Sequence, residues 1–216
     1  MNKKILVLAA HPDDETLGCG GTLHRLSKEG YDVNLLTFTD GESSRGIQGL
    51  NRNEKLNNVA SILGISNYNS GKFPDNAMDS VPLIEICKFI EENVNYIPDI
   101  IFTHHYEDLN IDHHLVAKAT FTVFRPQKGN SHVIYSYFVP SSSDYNPISN
   151  FTGKTYFKLN ENDVEAKHSA LSIYDKEMRE YPHSRSYKNI KNLIKVWGSE
   201  VGTEYAEKFI LIRELI

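Results

Sequence analysis

Two clusters of histidine and acidic residues are the segments of this sequence best suited to chemistry. The first, His11–Glu15, reads His-Pro-Asp-Asp-Glu and directly follows the apolar run Ile5–Ala10. The second, His104–His114, contains four histidines and three acidic residues within eleven positions and follows the strand-like run Asp99–Thr103. Imidazole and carboxylate groups bind metal ions and transfer protons. The two clusters therefore indicate metal ligands and a general base.

A simpler interpretation exists for each cluster taken alone. The acids Asp13–Glu15 suit the first turn of a helix, where the helix dipole favours negative charge. An isolated histidine is more often a surface or hydrogen-bonded residue than a metal ligand. Two such clusters, each placed directly after an apolar strand, are harder to explain in this way. Together they favour one site built from both segments.

The elements that must position these clusters alternate between apolar strands and amphipathic helices. This alternation predicts an α/β fold that is Rossmann-like, with a mostly parallel sheet and helices on both faces. Ligands of such sheets bind at the carboxyl ends of the strands. If the strands before His11 and His104 are near each other, the loops that follow them meet in one crevice.

We expect a single domain over residues 1–216, because nothing in the composition demands a second one and no repeat is visible. Residues of about 1–139 carry the predicted strands and form the sheet core. The segment Pro140–Gly153 is rich in Ser, Asn and Pro, which is typical of a long loop or flap beside a site. Helical patterns near Asn162–Glu180 and Tyr187–Val196 follow. Residues of about 140–216 are therefore predicted to form a flap and a C-terminal cap.

Composition excludes several classes of protein. The net charge of -5 and the lack of a dense run of Lys or Arg argue against a nucleic-acid partner. The two cysteines, Cys19 and Cys87, are too few and too far apart to indicate a disulfide framework or a thiolate metal site. The apolar run after Lys4 is too short for a secretory signal, and no segment reaches the length of a membrane span. We therefore expect a cytoplasmic protein.

Three short patterns lie in order along the chain. They are Ala10–Glu15 continued by Gly18, Gly20 and Gly21, then Arg52 and Glu54 ahead of Leu63 and Gly64, and then Asp112–His113. Together they resemble the motifs of the PIG-L/LmbE-like family of zinc-dependent N-deacetylases, the GlcNAc-type deacetylases, and the resemblance covers essentially the full length. The C-terminal part resembles a subgroup often associated with bacterial glycan and sugar biosynthesis, through Tyr181–Ser186, Gly198 and Tyr205–Phe209.

The resemblance implies a role for each residue of the first cluster. His11, Asp14 and His113 match the metal ligands of the family, and Asp13 matches its general base. Two imidazoles and one carboxylate leave a coordination position open for water, as a catalytic zinc site requires. Iron(II) or cobalt would also suit this ligand set. Adjacent carboxylates can then hold different roles, because the environment of each sets its function.

The implied reaction is hydrolysis of an N-acetyl or other N-acyl group. Zinc would lower the pKa of a bound water, Asp13 would accept its proton, and the amide would be cleaved to an acid and a free amine. The expected substrate is a small N-acylated amino sugar, a nucleotide sugar or a glycoconjugate. The sequence leaves the substrate, the native metal and homo-oligomerisation open.

One position departs from the family pattern. Many members have a histidine two residues before the Asp of the Asp-His pair, where this chain has Asn110. An amide can donate a hydrogen bond but cannot supply a proton, so acid catalysis from this position is lost. His114 and His183 are candidates to replace the missing histidine. Asp112 is a candidate to orient a group beside the metal.

Substrate contacts are predicted at three further positions. Arg52 matches the arginine of the family beside the site, and its guanidinium suits a hydroxyl, carboxylate or phosphate group. His183 and Arg185 are candidates to bind an anionic group such as the phosphate of a nucleotide sugar. Arg45, in the loop after the second strand, is a weaker candidate.

Two other classes of function fit this sequence less well. A dinucleotide-binding loop requires a glycine spacing that Gly18–Gly21 does not have, and the acids of His11–Glu15 would repel a pyrophosphate. A metal-containing module that binds a glycan without cleaving it would need ligands but no base, so Asp13 argues against it. An amidohydrolase acting on another small N-acyl amine stays open as an alternative.

Overall fold

Seven strands, six α-helices and two short 3-10 helices (Met78–Ser80 and Asp175–Glu177) make up the regular structure of residues 3–40, 52–128 and 131–216, which the computed structural model describes. The strands are β1 (Lys4–Ala9), β2 (Asp32–Thr39), β3 (Ile65–Phe73), β4 (Ile100–His104), β5 (Val133–Tyr137), β6 (Thr155–Leu159) and β7 (Tyr205–Arg213). The helices are α1 (Asp14–Lys28), α2 (Arg52–Leu63), α3 (Leu83–Asn93), α4 (Ile111–Val123), α5 (Glu161–Ile173) and α6 (Tyr187–Ser199).

The strands form one mixed sheet in the order β3-β2-β1-β4-β5-β7-β6. The first five strands of this order are parallel, and β7 and β6 are antiparallel additions at one edge. The chain builds outward from β1 through β2 to β3 and then crosses to the other side of β1 to form β4. This topological switch opens a crevice at the carboxyl ends of β1 and β4.

Helices cover both faces of the sheet. Alternate residues of the buried strand β1 point to opposite faces, and because Ile5–Ala9 are all apolar, each face packs against helices. On one face Ile5, Val7 and Ala9 pack in a core with residues of α1, α2, α5 and α6. On the other face Leu6, Leu8 and Ala10 pack with residues of α3 and α4. The predicted α/β fold, with a mostly parallel sheet and helices on both faces, is confirmed.

The predicted division near residue 139 into a sheet core and a C-terminal cap is wrong in one respect. Residues 155–159 and 205–213 are strands of the same sheet, hydrogen-bonded to each other and, through β7, to β5. The sequence did not predict β7, because residues that a strand buries are normally apolar and β7 contains the charged residues Glu207 and Lys208. Glu207 is nevertheless fully buried.

That buried carboxylate supports a break in α1. The backbone of Cys19 leaves the helical region, with φ -141° and ψ 15°, so α1 consists of two shorter helices joined at this residue. Glu207 accepts hydrogen bonds from the backbone N–H groups of Gly21 and Thr22, at 3.2 and 2.7 Å, at the start of the second part. Lys167 pairs with Glu207 at 2.5 Å and donates to the carbonyl of Leu17 at 2.7 Å. One buried ion pair thus satisfies backbone groups on both sides of the break.

Candidate active site

The loop between β1 and α1 holds a strained residue. Asp13 has φ 133° and ψ -26°, a conformation that side chains other than glycine rarely adopt. Such strain costs on the order of 1–3 kcal/mol and is typical of functional sites. The Asp13 backbone N–H donates to the buried carboxylate of Glu15 at 3.1 Å, and Glu15 also accepts from the hydroxyls of Thr16 and Tyr174. Glu15 therefore fixes the loop conformation.

The three residues that the sequence predicted as metal ligands lie together. Asp14 Oδ2 is 3.1 Å from His11 Nδ1 and 3.2 Å from His113 Nε2. Asp14 and His113 are fully buried, and the His11 side chain is 11% exposed, so the cluster has one side open. His11 lies in the loop after β1, and His113 lies in the first turn of α4. The crevice at the topological switch thus brings the two sequence clusters into contact.

A carboxylate lies behind each of the two histidines. Asp112 Oδ2 is 3.0 Å from His11 Nε2, and Asp108 Oδ1 is 3.0 Å from His113 Nδ1. Each histidine can donate its outward N–H to that carboxylate and turn its other nitrogen towards Asp14. This arrangement orients metal-binding histidines in many proteins. The sequence predicted an orienting role for Asp112, but it gave no role to Asp108.

The same acids favour positive charge at the cluster. Burial lowers the pKa of both histidines, but the carboxylates outweigh it. Hydrogen bonds to Asp112 and Asp14 raise the pKa of His11 well above its ordinary value. The charges of Asp14 and Asp108 raise the pKa of His113 to about 9. The site therefore stabilises a cation at this position, whether protons or a metal ion supply the charge.

Two buried atoms of the cluster support metal binding. Within the described part of the chain, Asp14 Oδ1 and His113 Nε2 have no hydrogen-bond partner. Buried polar atoms without partners are rare and costly, so each calls for an explanation. A divalent metal held by His11 Nδ1, Asp14 and His113 Nε2 would satisfy both atoms. A second group, His11, Asp75 and Asp112, also lies close enough to hold an ion, on the Nε2 side of His11.

Asp13 lies beside the predicted ligands with a different environment from Asp14. Burial raises the pKa of Asp13 to about 7, and the nearby Arg185 guanidinium opposes this rise. Although burial also acts on Asp14, the His113 charge and the hydrogen bond from His11 keep the pKa of Asp14 well below its usual range. When two neighbouring carboxylates have different pKa values, one can serve as a metal ligand and the other as a proton carrier.

Arg185 reaches the site from the C-terminal part of the chain. One of its terminal nitrogens is 3.3 Å from Asp13 Oδ2. Its Nε donates to the carbonyl of Pro140 at 3.2 Å and to Ser141 Oγ at 2.8 Å, which fixes the guanidinium. The sequence predicted that Arg185 contacts substrate. The structure places it directly on the predicted base.

The other candidate substrate residues differ in their positions. His183 Nδ1 accepts the backbone N–H of Arg185 at 3.0 Å, and its ring packs edge-on against Tyr145 at 5.9 Å between centroids. Arg52 begins α2, but the structure does not describe its side chain. Arg45 and its loop lie outside the described residues.

Asn110, the position that departs from the family pattern, caps a helix. Its Oδ1 accepts the backbone N–H of Asp112 at 2.8 Å at the start of α4, and its Nδ2 donates to Asn76 at 3.1 Å. The hydrogen bonds of Asn110 therefore support the loop and helix that carry Asp112 and His113. His114 is half-buried and directly follows His113 along the first turn of α4.

Sequence reasoning missed His104, at the end of β4. Burial and the charge of His113 hold the pKa of His104 well below its usual value, so its ring is neutral. His104 Nε2 accepts the backbone N–H of Ala10 at 2.8 Å, and its ring stacks on His113 with centroids 3.9 Å apart. His104 thereby links the end of β1 to a predicted ligand. The histidine-rich cluster drew attention to this segment, but it could not distinguish a packing histidine from a ligand.

The fold and the site together define a class of protein. It is an α/β protein with a site at the topological switch of its sheet, where two histidines and a carboxylate converge beside a second carboxylate. No helix in residues 3–40, 52–128 and 131–216 is both long and apolar enough to cross a lipid bilayer.

The particular family follows from comparison with known sequences. Residues 6–124 match the PIG-L family, GlcNAc-PI de-N-acetylase. The chain belongs to this family, as its motifs predicted. It is 33% identical over 130 residues to the uncharacterized deacetylase YaiS of Escherichia coli, a match that covers 57% of this chain and 69% of YaiS. It is also 38% identical over 80 residues to diacetylchitobiose deacetylase of Thermococcus kodakarensis, covering 34% of this chain and 30% of that enzyme.

Solved structures share the fold. The protein TT1542 of Thermus thermophilus superimposes with a TM-score of 0.78 at 21% identity, over 98% of this chain and 96% of that one. GalB of Pseudomonas putida, a 4-carboxy-2-hydroxymuconate hydratase, superimposes with a TM-score of 0.73 at 17% identity, over 99% and 98% of the two chains. These likenesses show the fold alone, so the residues of the site must indicate the reaction.

Proposed function

We propose that this protein is a zinc-dependent N-deacetylase that acts on an N-acetylated amino sugar or a conjugate of one. The observation that supports it most is the convergence of His11 Nδ1, Asp14 and His113 Nε2 beside Asp13. Within the described residues, the buried atoms Asp14 Oδ1 and His113 Nε2 of this cluster have no hydrogen-bond partner. Family membership makes deacetylation the expected chemistry. The name of the Thermococcus relative, diacetylchitobiose deacetylase, supports an N-acetylated sugar as substrate.

The residues of the site suit hydrolysis of an amide. A zinc ion held by His11, Asp14 and His113 would acidify water and polarise the amide carbonyl. Asp13 accepts a proton from the attacking water as the new C–O bond forms. Asp13 then returns this proton to the leaving nitrogen as the C–N bond breaks. The products are acetate and a free amine, and no further reactant is needed.

Arg185 supports Asp13 in this scheme. A guanidinium 3.3 Å from the carboxylate stabilises the ionised form that must accept the proton. Because Pro140 and Ser141 hold the guanidinium in place, its charge stays beside Asp13 through the cycle. Its terminal nitrogens are proposed contacts for the polar groups of the sugar, and Arg52 and His183 are further candidates that the sequence alone suggests.

A hydratase is the second candidate, because GalB shares the fold over nearly the whole chain. A hydratase adds water across a carbon–carbon double bond, whereas a deacetylase releases acetate. The sequence matches to deacetylases favour hydrolysis of an amide, since the identity to GalB is only 17%.

The direct test combines metal analysis with a substrate screen. The purified protein is incubated with N-acetylglucosamine, N,N′-diacetylchitobiose and an N-acetylated nucleotide sugar, and released acetate and free amine are measured. We expect about one zinc per chain and equimolar acetate and amine from at least one compound, lost on chelation and restored by Zn²⁺. Hydration of an unsaturated acid without acetate release would favour the hydratase instead. Protein that contains and binds no divalent metal would contradict the proposal.

A further inference from the structure

The segment Pro140–Ser143, directly after Val139, contacts both halves of the site. The hydroxyls of Ser142 and Ser143 donate to Asp108, whose carboxylate also contacts His113. On the other side, the carbonyl of Pro140 and the hydroxyl of Ser141 accept from Arg185. Four consecutive residues thus connect to a predicted metal ligand and to the partner of the predicted base.

Asp108 is the centre of the first connection. It is 1% exposed, and its Oδ1 accepts from the backbone N–H of Asn110 at 3.0 Å and lies 3.0 Å from His113 Nδ1. Its Oδ2 accepts from Ser143 Oγ at 2.5 Å. An ionised carboxylate only accepts hydrogen bonds, so His113 donates to Asp108 through its Nδ1–H. This contact directs the other ring nitrogen, Nε2, at Asp14, on the side where a metal would bind.

Ser143 connects this carboxylate to the backbone of the segment. Its Oγ donates to Asp108 and accepts the backbone N–H of Val139 at 2.8 Å. The backbone N–H of Ser143 in turn donates to the carbonyl of Val139 at 2.9 Å. These bonds close a tight turn and fix the position of the Ser143 hydroxyl. Among these bonds of Ser143 none goes to His113, so Ser143 acts on His113 through Asp108.

The backbone of the segment is itself strained. Ser141 has φ 65°, in the left-handed region that residues other than glycine seldom adopt. The surrounding contacts must hold a residue in such a conformation. The bonds from Arg185 to Pro140 and Ser141 on one side, and from Ser142 and Ser143 to Asp108 on the other, provide these contacts.

We propose that Asp108 is a positioning residue for His113 and that Ser143, through Asp108, contributes to the metal affinity of the site from the loop after β5. This inference rests on the proposed function, since it assumes that His113 binds a metal. A carboxylate behind a ligating histidine contributes about 10–100-fold to metal affinity. The Ser143 hydroxyl contributes a smaller part of that effect, because it acts on the carboxylate and not on the histidine.

The test measures Zn²⁺ affinity by competition between the full-length protein and a chromophoric chelator. We expect Asp108→Asn to weaken Zn²⁺ binding by about 10–100-fold. Asp144→Asn is the matched control, because Asp144 is an exposed acid of the same loop that pairs with Ser184 and contacts neither His113 nor Arg185. Its affinity should equal that of the wild type. An Asp108→Asn protein with wild-type affinity would overturn the proposal.

Ser143 keeps the proposal testable if Asp108→Asn fails to fold. Ser143→Ala should weaken Zn²⁺ binding by less than Asp108→Asn does, and Ser143→Thr, which keeps the hydroxyl, should restore it. Unchanged affinity in a folded Ser143→Ala protein would overturn the role of the loop. A wild-type protein that binds no Zn²⁺ would overturn the proposed function as well, whereas a wild type that binds Zn²⁺ with unaffected variants would overturn only this inference.

Discussion

The loop after β1 and the loop after β4 each supply half of the site, and they are held in place by different means. Between β1 and α1 only four residues intervene, and the conformation depends on strain at Asp13 that Glu15 stabilises. Between β4 and α4 there are six residues, and side-chain hydrogen bonds hold them, above all those of the buried Asp108 and the half-buried Asn110. The first loop places ligand and base side by side, and the second orients a single ligand.

This difference explains which half of the site the sequence shows more clearly. In the loop after β1, the predicted base and a predicted ligand are consecutive residues, so their closeness in space is visible in the sequence. In the loop after β4, the groups that orient His113 are spread over the loop and the distant Ser142 and Ser143. A short strained loop therefore appears as a compact motif, whereas a loop held by side chains does not.

The largest expected effect tests the first loop. Asp13→Asn keeps the size of the side chain but cannot accept the proton, so kcat should fall by about 10²–10⁴-fold. Metal content should not change, because Asp13 is not among the three converging ligands. Steady-state kinetics and metal analysis of the same preparation check this. Full activity in Asp13→Asn would show that the base lies elsewhere, and loss of the metal would show that Asp13 is a ligand.

The support of the break in α1 by the C-terminal strand β7 gives the next effect. Glu207→Gln leaves the Lys167 ammonium buried without its partner, so the free energy of unfolding should fall by about 3–5 kcal/mol. Glu200→Gln is the matched control, because it breaks an exposed pair with Lys208 at 2.7 Å, which is worth about 0–1 kcal/mol. Denaturant unfolding measures both. Equal losses in the two variants would contradict a special role for the break in α1.

A smaller effect is expected at Asp112, which follows the second loop and supports His11, the predicted ligand in the first loop. Asp112 lies 3.0 Å from His11 Nε2 and accepts the backbone N–H groups of Asn76 and Met78. Asp112→Asn should weaken Zn²⁺ affinity by about 10–100-fold, because the amide orients His11 less well. Asp79→Asn, at an exposed acid nearby, is the control. Chelator competition that gives equal affinities for both variants would rule out this support.

The smallest effect concerns the helix cap of the second loop. Asn110→Ala removes the acceptor for the backbone N–H of Asp112 and should lower the free energy of unfolding by about 1 kcal/mol. Asn110→Asp keeps the cap and should lose little. Denaturant unfolding of the two variants checks this. If Asn110→Ala were as stable as the wild type, the hydrogen bond at the cap would not support the loop.

Much of the fold followed from the sequence, because the apolar strands and the helices between them have distinct patterns. The C-terminal strands β6 and β7 did not, and for β7 the reason is the buried carboxylate of Glu207, which disguises an interior strand. Within the site, the sequence predicted the three converging residues His11, Asp14 and His113. It could not show that Arg185 contacts Asp13, because that contact joins residues 172 positions apart.

The central claim is that His11, Asp14 and His113 hold a metal ion beside Asp13. A crystal structure of the zinc-loaded protein, with anomalous diffraction recorded at the zinc absorption edge, tests it most directly. We predict one anomalous peak with His11 Nδ1, Asp14 and His113 Nε2 at about 2.0–2.2 Å. A peak held instead by His11 Nε2, Asp75 and Asp112, or none in this crevice, would contradict the account.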